Sequence, residues 1–251
     1  MSRVILITGA SGKFGLTFVK HLLANGHTVI GTTSSQESLD SLKEKVDLSS
    51  KRFFGVVTDL CEERSAQKII DILHKEHIHP DCLINAARSL KFLKADVTGL
   101  TARSNFLDEY LLNVVVPYEL TMKLRSYSKV LRTVINIGSQ YGVVAANPHL
   151  YDHPEIESPI QYSVAKAALS HLTKELSVRL AKDSIQVNCI AYGGVEGRAD
   201  DLFKQRYSKM VPLGRMLFDD EITWPLDALL SNGSMAMTGQ TINFDGGWTI
   251  W

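Results

Sequence analysis

Tyr162 and Lys166 stand four residues apart in the run Tyr162-Ser163-Val164-Ala165-Lys166. On a helix that spacing sets both side chains on one face, one turn apart. A free phenol titrates near ~10, too high to exchange protons readily at neutral pH. An ammonium close by stabilises a phenolate, and a phenol so placed can protonate a carbonyl oxygen or take the proton from an alcohol. The spacing alone arises often by chance, so its neighbours matter. Ser139 follows the apolar run Val134-Ile135-Asn136-Ile137. It should project from the carboxyl edge of a strand, where open α/β sheets place their ligands, and donate to the same oxygen. Asn113 lies in a helical pattern over 107–124. It is either a satisfied core amide or the anchor of a water that relays protons by way of Lys166.

A second group of residues points to a bound dinucleotide. In Thr8-Gly9-Ala10-Ser11-Gly12-Lys13-Phe14-Gly15, three glycines recur every third residue after an apolar run. A pyrophosphate must approach backbone N–H groups at a helix N-terminus, and a Cβ would hold it off. The plain alternative is a strand–helix turn. The second apolar run ends in Gly31-Thr32-Thr33-Ser34-Ser35, with no carboxylate before Glu37. Enzymes that prefer NAD usually place an acid there for the ribose hydroxyls. Hydroxyls at Thr33 and Ser34 suit a 2′-phosphate, which favours NADP(H) over NAD(H). Lys13 either supplies the missing positive charge or is a solvated first-turn lysine. Asp59 either accepts a hydrogen bond from an adenine amino group or caps the segment that follows.

These groups need a frame. Short apolar runs at 4–7, 28–30, 53–57, 82–84, 134–137, 185–190 and 241–244 alternate with helical patterns at 16–23, 38–46, 66–74, 107–124, 164–180 and 219–230. Alternation of that kind builds βαβ units and a parallel sheet, buried on both faces. The chain of 251 residues reads as one domain, residues 1–251, with an irregular, proline-bounded loop at about 141–160. Long loops in compact domains are often functional. Lys+Arg and Asp+Glu both number 27, a balance that argues against nucleic-acid or membrane-surface binding. Cys61, Cys82 and Cys189 form neither a disulfide framework nor a zinc motif. His149 and His153 sit beside Asp152 and Pro154, which argues against a helical metal pair. The N-terminus lacks a signal-peptide pattern, so a cytoplasmic protein is expected. The apolar end, Trp248 to Trp251, is expected to be buried, under a neighbouring subunit or within its own.

In this order the motifs resemble the short-chain dehydrogenase/reductase family nearly end to end. The resemblance implies a Rossmann-type doubly wound sheet of seven parallel strands and a homodimer or homotetramer. It implies a catalytic set of Asn113, Ser139, Tyr162 and Lys166. It implies cofactor contacts at Gly9, Ser11, Gly12, Lys13, Phe14 and Gly15, at Asp59 and Leu60, and at the turn Asn85-Ala86-Ala87. Tyr162 and Lys166 also face the cofactor, and Gly193 and Val195 lie in the segment that closes over the nicotinamide. The chain departs from the family where Lys13 replaces a glycine, Tyr192 a proline and Gly197 a threonine. Its segment between Ser139 and Tyr162 is longer than usual and looks like that of oxidoreductases in flagellin-modification and nonulosonic-acid sugar pathways. That likeness implies a small-molecule substrate, a sugar or sugar-phosphate, met by Arg88, Gln140, Tyr141, His149 and Tyr151. A 3-oxoacyl thioester is the alternative substrate, and a non-catalytic dinucleotide-binding regulator the alternative role.

Overall fold

Seven apolar runs rich in β-branched residues form β1 (Val4–Thr8), β2 (Thr28–Thr33), β3 (Phe53–Val57), β4 (Cys82–Asn85), β5 (Thr133–Ser139), β6 (Gln186–Tyr192) and β7 (Thr241–Phe244). They come from a computed structural model that describes residues 2–46, 51–197, 199–231 and 236–251. All pairings are parallel, in the order β3-β2-β1-β4-β5-β6-β7. The chain winds outward from β1 in both directions, so β1 and β4 flank the switch point. Their carboxyl ends open the crevice where such sheets bind ligands.

Helices α1 (Lys13–Ala24), α2 (Gln36–Lys45), α3 (Ser65–Lys75), α4 (Arg103–Tyr110), α5 (Val116–Tyr127), α6 (Pro154–Glu157), α7 (Ile160–Leu180), α8 (Asp201–Met210) and α9 (Trp224–Leu230) lie between and after the strands. One face packs Ile5, Ile7 and Val29 against Phe18 and Leu22 of α1 and Leu226 of α9. The other packs Leu6, Leu83 and Val134 against α3, α5 and α7 through Ile69, Leu120 and Leu176. Burial on both faces explains why the strands read as continuous apolar runs. A third, smaller core gathers Leu150, Tyr207, Val211, Met216 and Trp248 outside the sheet.

Four sequence expectations change in detail. The helix expected over 107–124 starts earlier and is interrupted by a π turn, Leu111–Val115, between α4 and α5. Pro117 lies just beyond, and it has no N–H to return to the Asn113 carbonyl four residues back. The helix expected over 219–230 is helical only as α9, after a 3₁₀ turn Glu221–Thr223. The loop at 141–160 carries 3₁₀ turns Gln140–Gly142 and Pro148–Leu150 and the short α6. α8 was not expected at all; Asp200 caps it, accepting from the Phe203 N–H at 2.8 Å. At the C-terminus, Trp248 is buried within its own chain, whereas Trp251 is 76% exposed. Among the described residues no helix is long and apolar enough to cross a membrane.

The strap that follows β6 lines the crevice at Gly193 to Val195 and bridges to Leu217, in a turn held by a fork. Arg215 donates to both carboxylate oxygens of Glu221, at 2.7 and 2.8 Å. The Phe218 N–H donates to Glu221 as well. The guanidinium pulls the Glu221 carboxyl from an ordinary 4.5 down to about 2. Because the folded value lies below the unfolded one, the stabilisation is present above pH 4.5 and disappears as pH falls towards 2. Glu221→Gln should therefore lower Tm at pH 7 by a few degrees. The gap to the parent should shrink between pH 4.5 and 2, as thermal melts across that range will test.

Candidate active site

A cleft of about 640 Å³ runs along the carboxyl ends of the strands, within the usual range for small-molecule sites. Its wall begins at the glycine loop. Gly9 has φ +68°, and a Cβ there would stand 2.6 Å from the Ala87 Cα. The loop and the turn after β4 thus touch backbone to backbone. Thr8 Oγ1 fixes that turn by accepting from the N–H groups of Ala86 and Ala87, at 3.0 and 3.1 Å. Ser11, Gly12, Lys13, Phe14 and Gly15 line the cleft where α1 begins. Thr33, Ser34, Asp59 and Leu60 line one end, and Gly193 and Val195 line the other side. The cradle is shaped for a phosphate-bearing ligand, since side chains are excluded where the backbone must approach it.

Several expected cofactor residues behave differently from the sequence reading. The Lys13 ammonium pairs with Asp219 at 2.9 Å and leans towards the Val195 carbonyl. Its side chain stays 31% exposed, and its charge is committed to Asp219 and not to Thr33 and Ser34. Asn85 does not line the cleft. Its amide donates to Asn136 Oδ1 at 2.8 Å, and Asn136 donates to Thr173 at 2.9 Å. The side chain therefore braces β4 against β5 from beneath. Asp59 accepts from the Cys61 N–H at 2.9 Å and so closes a tight turn. It does not cap α3, which begins later at Ser65.

The floor of the cleft is built by β5 and α7. Lys166 is buried, and its ammonium donates to the Ile137 carbonyl at 2.7 Å. It also lies 5.8 Å from the centre of the Tyr162 ring. Burial draws the Lys166 ammonium below its ordinary value, against the raising fields of Tyr162, Cys189 and Glu109. Ser139 Oγ accepts from the Tyr141 N–H at 3.2 Å, which leaves its own proton free to be donated into the cleft. Gly142 permits this geometry. A Cβ there would come within 2.8 Å of the Lys166 backbone, so the turn after Ser139 seats directly on α7. The structure brings Tyr162, Lys166 and Ser139 to one place.

Asn113 sits beneath them, in the π turn. Its amide nitrogen donates to both the carbonyl and the carboxylate of Glu109, each at 2.9 Å. Two acceptors at one end fix the orientation, so Oδ1 points away, and it finds no protein partner. A cavity of about 10 Å³, bounded by Asn113, Pro117, Asn85 and Lys166, adjoins it. That is the size of one water. The Asn113 amide is thus satisfied on one side only, and Asn113 and Lys166 both border that water-sized space.

The sequence reading missed two groups. Glu109 is fully buried. Burial raises its carboxyl, opposed by the fields of Lys166 and Arg88 and by the Asn113 hydrogen bond. A glutamate at i−4 from a candidate asparagine was its only signal. Tyr207 of α8 donates to Gln140 at 2.9 Å and accepts from the Gly194 N–H at 2.8 Å. It stacks on Trp248, ring centres 4.6 Å apart. Of the expected substrate residues, Arg88, Gln140, Tyr141 and Tyr151 line the cleft. The Tyr141 and Tyr151 hydroxyls are bonded at 2.7 Å. His149 does not line it. Leu150 on the same 3₁₀ turn is buried, which rotates His149 outward to solvent. Among the described residues no cluster of His, Cys, Asp or Glu could hold a metal ion.

Comparison with known proteins agrees with this geometry. A family model described as Enoyl-(Acyl carrier protein) reductase matches residues 9–249. The chain is 26% identical to the post-translational flagellin modification protein A of Campylobacter coli, over 99% of both chains. It is 26% identical to the 3-oxoacyl-[acyl-carrier-protein] reductase of Thermotoga maritima, over 99% of this chain and 98% of the relative. A crystal structure of a short-chain dehydrogenase from Leptospira borgpetersenii with bound NAD+ superposes with a TM-score of 0.86. That protein is 30% identical, and the match covers 99% of this chain and 93% of that one. With a glycine cradle at the switch point, a tyrosine and a buried lysine on one helix face, and a match running almost end to end, the chain belongs to the short-chain dehydrogenase/reductase family of oxidoreductases.

Proposed function

We propose that this oxidoreductase interconverts a carbonyl and an alcohol on a polyhydroxylated, sugar-like compound with NADP(H), in the synthesis of sugars for surface glycans or flagellin modification. The observation that carries the reading is the shared position of Tyr162, Lys166 and Ser139 at the floor of a cleft whose far wall is a glycine cradle. Gly9, Ser11, Gly12, Phe14 and Gly15 would hold the pyrophosphate, Thr33, Ser34, Asp59 and Leu60 the adenosine half, and Ala86, Ala87, Gly193 and Val195 the nicotinamide half. Bound there, the dinucleotide supplies the hydride for reduction or accepts it in oxidation.

The protein's own groups handle the proton. Ser139 donates a hydrogen bond to the substrate oxygen and holds it against the Tyr162 phenol. Tyr162 releases its proton to that oxygen as negative charge develops, which avoids a free alkoxide. Lys166 keeps a positive charge beside the phenol and, through the cavity bounded by Asn113, has a route by which the proton is replaced. Glu109 keeps the Asn113 oxygen, rather than its NH₂, on that cavity.

Polar lining supports a sugar-like substrate: Gln140, Tyr141 and Tyr151 offer an amide and two hydroxyls along one wall. The similarity to a flagellin modification protein points the same way. The preference for NADP(H) rests on the end of β2, where Thr33 and Ser34 line the cleft and no carboxylate does. We also infer a homodimer or homotetramer. Leu107, Tyr110, Tyr118, Val164 and Val178 leave apolar surface on the outer faces of α4, α5 and α7, and a two-fold contact would cover it.

Four measurements test this. Tyr162→Phe should cost about 10²–10⁴ in kcat for any carbonyl the parent reduces, with NADPH affinity changed less than about threefold. Full activity in that variant would end the proton-transfer reading. NADPH should exceed NADH by at least about tenfold in kcat/KM; the reverse order assigns NAD(H) instead. Glu109→Gln, whose amide can present hydrogen in place of oxygen, should lower kcat about tenfold or more while KM moves little. A panel of sugar aldehydes, ketoses and 3-oxoacyl thioesters identifies the substrate class. Turnover confined to the thioesters would replace the sugar reading.

A further inference from the structure

Arg88 has no obvious employment in the proton chemistry. It follows the turn after β4 and lines the cleft, exposed at its mouth. Its guanidinium lies over the Tyr162 ring, 5.0 Å from the centre. Among the described residues, every other cation lining the cleft except Lys91 is engaged: Lys13 by Asp219 and Lys166 by the Ile137 carbonyl. Among the described residues no carboxylate forms an ion pair with Arg88 or Lys91. Asp59 is the only acid among the described residues lining the cleft, and it stands at the opposite end beyond β3. The nearest buried acid, Glu109, directs its hydrogen bond to Asn113. Among the described residues the substrate half thus carries two cations in no ion pair, with a planar five-donor fork beside the reacting phenol, and Glu109, whose carboxyl feels the Arg88 field, lies buried beneath it.

We infer that Arg88 is an anion-binding residue and that the substrate is an acid, its carboxylate or phosphate held at Arg88 within a few bonds of the reacting carbon. A guanidinium over an aromatic face gains little from the ring when solvent reaches it, and its fork matches a carboxylate or phosphate with two parallel hydrogen bonds. The position also separates this anion from the cofactor's own phosphates, which belong to the glycine loop across the cleft. Lys91 adds a second charge on the same side. A neutral sugar would leave both cations without an ion-pair partner.

The inference rests on the hydride-transfer reading of Tyr162, and binding measured without turnover tests it separately. The full chain is saturated with NADP+, which cannot reduce a ketone. It is then titrated calorimetrically with inorganic phosphate, with 2-oxobutanoate and with neutral butanone. At least one anion should bind tenfold or more tighter than butanone, and the stronger of the two tells phosphate from carboxylate. Arg88→Gln should weaken that anion at least tenfold. Arg88→Lys, which keeps the charge but loses the fork, should recover part of the loss and serves alone if Arg88→Gln does not fold. Equal binding of anion and butanone overturns the inference, as does anion binding untouched in the variants. If the variants instead lower kcat equally for anionic and neutral carbonyls and displace the pH profile, Arg88 serves the phenol and the anion site is refuted. Anion binding through Arg88 without reduction of any sugar carbonyl would remove the sugar reading and leave this one standing.

Discussion

A buried ammonium on a backbone carbonyl holds this molecule's chemistry together. Lys166 reaches through the floor of the cleft to the Ile137 carbonyl, two residues before β5 ends at Ser139. Taking an ammonium out of water costs several kcal/mol unless it is hydrogen-bonded and balanced by nearby charge. The carbonyl meets the first need, and the fields of Tyr162 and Glu109 help with the second. That single bond ties α7 to the end of β5, and so ties the residue that carries the phenol to the one that carries the serine hydroxyl. The long insertion between them does not set their distance. Gly142, pressed on the Lys166 backbone, only lets the chain leave without disturbing it.

A second constraint works from below. Pro117 withholds a backbone donor, the helix relaxes into a π turn, and Asn113 arrives with its amide oriented by Glu109. π turns within helices are frequent at functional sites. Here the irregular turn carries Asn113 to the border of a water-sized cavity. The cost is a carboxylate in the interior, raised by its own burial. A purely structural helix would have no need of it.

The periodicity of the sequence was sufficient for the sheet, because strands buried on both faces announce themselves as apolar runs and the glycine loop marks where the first one ends. It was sufficient for Tyr162, Lys166 and Ser139, whose places follow from one helix period and one strand edge. It failed where position depends on a long-range partner. Lys13 reads equally as a phosphate-binding charge or a solvated first-turn lysine until Asp219 is folded beside it. Asn85 reads as a cleft residue until Asn136 turns it inward. His149 cannot be told from Tyr151 by type, since only the burial of Leu150 decides which of them faces the cleft. Glu109 and Tyr207 were invisible because their roles are contacts with other candidates and not patterns of their own. α8 is short and amphipathic only against the small third core, so its signal was its cap alone.

The stack of Trp248 on Tyr207 gives the protein an internal optical gauge. The indole is buried against a phenol that is bonded at once to Gln140 beside Ser139 and to Gly194 in the strap. Trp224 and Trp251 are exposed, so their emission falls at long wavelength. The blue edge of the intrinsic fluorescence therefore belongs to Trp248, and it follows the packing of the substrate wall without any added label.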